Sequence, residues 1–476
     1  MSPGTTAAER RAARRPLSRD VRLFWCASAS DALGTQASGV VLPLLLLGLG
    51  HSATVVGLVA GVSTAAGLLL APLAAIPADR GARKPVMFWS ATVSALAMAG
   101  VTVAVAAGSP PLALLLGAVL LERFSTAVYE AAAAGTVSMI APPADGPRVV
   151  AGLSAGDQGA LVLGPALGGA LFQASRALPF LADAVSYAVA AGCVRALSSD
   201  LRPARGSADA SAAADASTGS GSGTPNSLIA GGDSADVMGV ATASDPVPME
   251  EDASAGPARV EPTPAGDPAS HPRPGRRILD ELGAGLALVR TSPVLRLILT
   301  WTATVNGVIV ALYYGAVFTL QEGGHGGGPM GLVLAVSGAA GLAGSLAAPR
   351  IAGRIAPARL LVAVSWLLVP LAAGLAAADG PWAYGALFGV FCLLMPLVGV
   401  VLQSRALQET PPGLQARTGA VLASAVGGSA ALAPVLAGVF VTRAGTAAPA
   451  VACAGLLAAL AWRTTVVRSR LTGVTS

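Results

Sequence analysis

Apolar residues arrive along this chain in runs of about 20, separated by short polar breaks, and no run alternates with period two. A run of that length crosses a hydrocarbon core of roughly 30 Å as a helix. Lipid offers no partners to backbone N–H and C=O groups, so only helices or a closed barrel can span it. Ala/Leu/Val/Gly blocks without alternation predict helices. Twelve spans follow, at about 22–48, 53–77, 85–106, 110–134, 149–173, 178–198, 294–319, 329–348, 358–378, 381–402, 417–441 and 445–464. The fold class expected is an all-α membrane protein of two six-helix halves.

The pattern fails between spans six and seven. Residues 199–277 are rich in Ser, Ala, Gly, Pro and Asp, with an acidic cluster at Glu250, Glu251 and Asp252. Such a segment cannot bury enough apolar surface to offset its ordering entropy, and it reads as a disordered cytoplasmic linker, either a regulatory element or a plain tether. Beyond it, Arg276-Arg277-Ile278-Leu279-Asp280-Glu281-Leu282 begins an amphipathic helix expected to lie along the inner surface. The domains expected are a cytoplasmic tail (1–21), a six-helix bundle (22–198), the linker (199–277), a second six-helix bundle (278–466) and a second cytoplasmic tail (467–476).

Composition excludes an ordinary soluble globule. Of 476 residues, 54% are hydrophobic and 12% charged, where a soluble domain carries about a quarter charged. The 58 glycines suit helices that approach closely in lipid. Cys26, Cys193, Cys392 and Cys453 all fall in apolar runs without metal-type spacing, which predicts free thiols and no metal site. The basic N-terminus precedes a run too long for a cleavable signal peptide. Charge placement sets orientation. With a cytoplasmic N-terminus, inner loops carry Arg80, Arg83, Lys84, Arg148, Arg350, Arg354, Arg359, Arg405 and Arg417, and the inner tail adds Arg463, Arg468 and Arg470. Outer loops carry only Arg176 and Arg443. Both termini are therefore expected on the cytoplasmic side of a plasma membrane that the chain crosses many times.

The halves repeat. A shift of 269 positions (417 − 148) lays span five on span eleven without a gap, pairing Arg148 with Arg417, Gly159 with Gly428, Leu163 with Leu432, Pro165 with Pro434 and Gly169 with Gly438. Apolar composition alone does not readily match an Arg and a Pro at one offset. Six-plus-six parallel repeats build a large class of secondary transporters, with the substrate site between the halves.

Three stretches carry a family resemblance. Asp79-Arg80-Gly81-Ala82-Arg83-Lys84, with Ala78 before it, resembles the loop 2–3 signature of the major facilitator superfamily, G-x-L-A-D-R-x-G-R-K. Ala75, Pro77 and Ala82 stand where the signature has Gly, Leu and Gly. The loop after span eight, Pro349 to Arg354, keeps the basic residues without the Asp. Gly164-Pro165-Ala166-Leu167-Gly168-Gly169 resembles the G-P-x-x-G-G core of the antiporter motif found in exporters. Phe24-Trp25, Ser30-Asp31-Ala32-Leu33-Gly34 and Leu42-Pro43-Leu44 are similar to the branch holding enterobactin exporters and macrolide efflux proteins. The resemblance implies that Asp79, Arg80, Arg83 and Lys84 form a conformational gate. In it, Asp79 would cap span eleven near Arg417 and Thr418, and Arg80 or Arg83 would reach Glu130. The helix of Gly164, Pro165, Gly168 and Gly169 would be pliable and closely packed.

Ionisable groups inside membrane spans are costly and face a cavity or a partner. Span four holds Glu122, Arg123 and Glu130. The two glutamates are read as sharing roughly one face, with Arg123 about 100° from Glu122. Arg123 sits where the family places an Arg in R-x-x-x-G, with Ala127 at the Gly position. Asp31 in span one and Asp157 in span five complete the acidic candidates for proton coupling or substrate binding; for each, structural pairing is the alternative. Asp183 is read as hydrogen-bonded structure. In the second half the candidates are Trp301, as cavity lining or as lipid-facing packing, and Asn306, followed by Tyr313 and Tyr314. No G-x-x-x-x-G-K-[ST] loop and no nucleophile–base set occurs, so neither ATP coupling nor an enzyme is expected. No cofactor and no nucleic-acid partner is expected either. The function implied is proton-driven efflux of a small amphiphilic organic compound, an antibiotic, natural product or siderophore, by a monomer. Proton- or sodium-coupled uptake and a non-transporting receptor on the same fold are the alternatives.

Overall fold

The computed structural model describes residues 17–79, 83–108, 110–134, 136–142, 145–199, 201, 283, 285–323, 327–378, 380–411 and 414–472. Apart from Ser199 and Leu201, the linker expected at 199–277 lies outside them, as do Arg80, residues 1–16 of the N-terminal tail and residues 473–476 of the C-terminal one. The Asp79 side chain is likewise not described.

The described chain is helical throughout. Twelve long helices run as α1 (Arg19–Gly48), α2 (Ala53–Asp79), α3 (Arg83–Ala106), α4 (Leu112–Ala134), α5 (Gly146–Ala174), α6 (Leu178–Ala196), α7 (Pro293–Glu322), α8 (Gly327–Ala352), α9 (Pro357–Ala376), α10 (Pro381–Glu409), α11 (Gln415–Ala444) and α12 (Ala448–Thr472). A short helix, Val137–Ile140, precedes α5. Helix starts follow local chemistry. The Ser18 and Ser292 hydroxyls accept the N–H groups of Val21 and Leu295, each at 3.3 Å, satisfying donors that a first turn leaves open. Proline opens α5, α6, α7, α9 and α10, where its missing N–H is not needed. Gly445, at φ 87°, ends α11 in backbone that other residues adopt at a cost.

Eleven of these helices are long and apolar enough to cross a membrane. The other is α5, which carries Asp157, Gln158 and a high share of glycine. It packs between α1 and α8. Large apolar side chains such as Leu69, Trp89, Leu346 and Trp462 stand on the outer surface, the reverse of a water-soluble fold. The charged turn at 78–84 is shorter than the sequence suggests. Helix α2 runs through Asp79 and α3 begins at Arg83. Helix α10 runs past the expected end at 402 to Glu409, because its polar last turns are freed from the limit that hydrocarbon sets on span length.

Packing repeats the sequence symmetry. In the first half α1 packs on α5 and α6, α3 on α4 and α6, and α2 on α4. Adding six to each number gives the main contacts of the second half: α7 on α11 and α12, α9 on α10 and α12, and α8 on α10. The halves join chiefly through α2–α11 and α5–α8, which are also related by the repeat. Leu163 and Leu432, matched by sequence, are each 62% exposed, so α5 and α11 present the same face outward. Before α7, residues 285–291 are helical. Val289 is buried there, and a methyl on Gly285 would lie 2.7 Å from the Arg417 carbonyl oxygen at the start of α11.

Candidate functional site

The join between the halves is built from glycine. On α5, Gly164 and Gly168 face α1: a methyl on Gly168 would strike the Ala37 carbonyl, and one on Gly164 would come within 2.5 Å of Gln36 Cβ. One residue on, Pro165 and Gly169 face α8, where a methyl on Gly331 would lie 2.6 Å from the Pro165 carbonyl oxygen and 3.1 Å from Gly169 Cα. The repeat reproduces this step. Gly57 of α2 meets the Pro434 carbonyl of α11, and Gly438 of α11 meets the Ala53 carbonyl. Thr54 and Thr442 hydroxyls lie 2.9 Å apart beside it. These contacts all sit in the half of the bundle away from the described chain ends.

Toward the other end, the first half presents acids. Glu122 on α4 is 4% exposed. Its Oε1 accepts from the Tyr187 hydroxyl of α6 at 2.6 Å and from Thr126 at 3.1 Å. Its Oε2 pairs with Arg123 Nε at 3.3 Å. Tyr187 also lies 3.0 Å from the Thr35 hydroxyl of α1, so one carboxylate ties three helices. Asp183, buried on α6, accepts from Ser186 at 3.4 Å and is within hydrogen-bonding reach of Ser38. Gly34 makes room for it: a methyl there would lie 2.6 Å from Asp183 Oδ1.

Asp31, Glu122, Glu130, Asp157 and Asp183 share one electrostatic neighbourhood. Asp31 and Arg123 are partly solvent-accessible, and Glu130 and Asp157 are exposed. Among the described residues, Asp31, Glu130 and Asp157 have no hydrogen bond and no ion pair within 4 Å. The shared face assigned to Glu122 and Glu130 is corrected. Eight residues leave them about 80° apart, whereas seven bring Glu130 back to within about 20° of Arg123. Glu122 accordingly turns inward, and Glu130 stays on the accessible side in the field of Arg123.

The second-half candidates separate. Trp301 is 3% exposed, and its Nε1 donates to Ser365 Oγ of α9 at 3.0 Å. It neither lines a cavity nor faces lipid, because this side of α7 packs on α9. Asn306 donates one amide hydrogen to the Thr302 carbonyl of its own helix, 3.0 Å away. Tyr313 and Tyr314 stand edge to face with centroids 4.9 Å apart, and the charge of Arg123 reaches Tyr314 across the halves. A small cleft lined by Leu297, Leu361, Leu402 and Arg405 lies between α7, α9 and α10, with none of the five acids in its lining. Of the gate residues, Arg83 donates to Met139 Sδ at 3.7 Å and Lys84 Nζ to the Leu197 carbonyl at 2.6 Å.

Tyr187, Thr35, Thr126 and Tyr129 are the residues sequence reasoning passed over. The spacing of Glu122, Thr126 and Tyr129, four and then three residues, was the available signal, since it aligns polar groups along one helix face.

The family profile of the Major Facilitator Superfamily matches residues 24–434. The chain belongs to this superfamily. It is a membrane transporter rather than an enzyme. No curated protein matches it in sequence. Solved structures share the superfamily fold. A bacterial homologue of the iron transporter ferroportin in the inward-facing state is 13% identical, with TM-score 0.64, covering 96% of this chain and 100% of that one. A bacterial homologue of the human lysosomal transporter Spinster, inward-facing and unoccupied, is 13% identical, with TM-score 0.62 and 98% of each chain covered. The nucleoside transporter NupG is 14% identical, with TM-score 0.61, covering 94% and 99%.

Proposed function

We propose that this Major Facilitator protein is a plasma-membrane monomer that exports a small amphiphilic organic compound in exchange for protons. The observation carrying the reading is the set of accessible, unpaired carboxylates, Asp31, Glu130 and Asp157, beside the Arg123–Glu122 pair. Unpaired charge in a membrane interior is expensive, and a proton or a ligand removes the cost. A site that either can occupy, but not both together, exchanges one for the other as the halves rock. Each occupant shifts the equilibrium only through its different affinity for the two states.

Direction rests on two features. The Arg-rich loops support cytoplasmic termini, which makes the glycine join the outer closure and the cavity open to the cytoplasm, where an exporter loads. The G-P-x-x-G-G helix and the wording of α1 support the exporter branch.

The test uses inside-out vesicles. An acid lumen is expected to drive uptake of a fluorescent amphiphile, a protonophore to collapse it, and Asp31→Asn to abolish it. Accumulation driven by a sodium gradient, or by an alkaline lumen, would overturn the reading.

A further inference from the structure

We infer that the transported compound is an organic cation, held by Asp31, Glu130 and Asp157 against the Tyr313–Tyr314 pair. This deepens the transport reading and rests on it. The charge balance of the first-half wall is the starting point. Around Asp31 lie Glu130, Asp183, Glu122 and Asp157, and the cation among them is Arg123. That guanidinium is committed to Glu122 at 3.3 Å, and Tyr187 and Thr126 complete the Glu122 partners. Asp183 has its serines. Among the described residues, Asp31, Glu130 and Asp157 have no hydrogen bond and no ion pair within 4 Å; they act on one another, and Arg123 offsets part of the charge at Glu130 alone. Like charges in a medium less polar than water repel strongly.

A second observation points to the same place. The Tyr129 hydroxyl is buried without a hydrogen-bond partner, on a residue 5% exposed, and Asp31 lies within its electrostatic reach. A buried hydroxyl left unsatisfied is costly, so the surroundings of Asp31 are incomplete as they stand. A positive group there neutralises the carboxylates and draws the lone pairs of the phenol oxygen electrostatically.

The opposite wall is of a different kind. Charged residues on α7 occur only near its ends, at Arg296 and Glu322. Its middle offers hydroxyls and then the two tyrosines, packed edge to face, and aromatic rings carry a negative face. Such faces attract organic cations. The charge of Arg123 reaches Tyr314, and α1, which carries Asp31, touches α7, so the acid wall and the aromatic pair lie near each other across the halves. An anion approaching the carboxylates meets repulsion, and a neutral molecule contributes nothing to their compensation, which is then left to protons. Discrimination thus comes from rejection as well as attraction.

Tetraphenylphosphonium and tetraphenylborate are matched in size and opposite in charge, and triphenylphosphine oxide is their neutral relative. Binding of each to the purified full-length protein is measured by equilibrium dialysis. Only the phosphonium is expected to bind, and at least tenfold more weakly to Asp31→Asn and to Tyr314→Ala, with Tyr314→Phe close to wild type. Asp157→Asn serves as a second carboxylate variant should Asp31→Asn fail to fold. Binding of the borate or the oxide as tightly as the phosphonium, no phosphonium binding, or equal phosphonium affinity in folded carboxylate variants would overturn the inference. Vesicle transport separates the two readings: phosphonium binding without proton-driven export leaves the cation site standing and removes the exporter, while proton-driven export of a neutral compound does the reverse.

Discussion

The Tyr187–Glu122 hydrogen bond, at 2.6 Å, is the shortest link of the three-helix tie. Hydrogen bonds to charged groups are worth about 1.5–3 kcal/mol. Tyr187→Phe is therefore expected to lower the thermal unfolding temperature in detergent and to slow transport. An unchanged unfolding temperature would mean that the tie does not hold α4 to α6 and α1. Trp301→Phe is expected to behave differently, losing the bond to Ser365 and some stability while leaving substrate affinity unchanged; an affinity loss would return Trp301 to the cavity wall. At this scale the sequence was half legible. Asp31, Arg123, Glu130 and Asp157 stood out because charge is rare inside apolar runs. The role of Tyr187 did not, since its partner is 65 positions away and the rotation of each helix decides which polar side chains meet. Trp301 was misjudged for the same reason: which side of α7 packs on α9 is not written in its composition.

Single helices were legible because lipid leaves the backbone so few options. Their long-range pairing became legible only through the repeat, whose matched residues, Pro165 with Pro434 and Gly169 with Gly438, turn out to touch equivalent partners, Gly331 and Gly57 or its neighbour Ala53. The sequence held the match but not its meaning, because a proline and a glycine four apart state no partner. Close backbone approach predicts intolerance of bulk. Gly331→Leu and Gly57→Leu should each push a carbonyl away, at about 1–3 kcal/mol for overpacking, and cut transport at least tenfold. Gly39→Ala, with nothing within 4 Å of the new methyl, should transport normally. Equal activity of all three would show that the halves do not need this closure.

Across the molecule, the arrangement is closed at one end and charged toward the other. The Thr54 and Thr442 hydroxyls lie 2.9 Å apart across the closed end, which makes these positions the ones at which to attempt a disulfide. Thr54→Cys with Thr442→Cys, in a background lacking the four native cysteines, is expected to lock that end when oxidised. Transport should stop and return on reduction, while substrate binding persists; continued transport by the oxidised protein would place the moving contact elsewhere. At the other end, the exit of α6 is fastened twice. Lys84 grips the Leu197 carbonyl, and Asp20 takes the N–H groups of Ser198 and Ser199 at 3.0 and 2.8 Å. The chain thus leaves the first half from a fixed anchor, and no described contact of α1–α6 depends on the peptide continuing past Leu201. The consequence expected is that the two halves can be made without a covalent link. Residues 1–201 and 283–476, made as separate polypeptides in one cell, should find each other through the α2–α11 and α5–α8 glycine seams and work as a two-piece carrier, recovered together on an affinity tag carried by either piece.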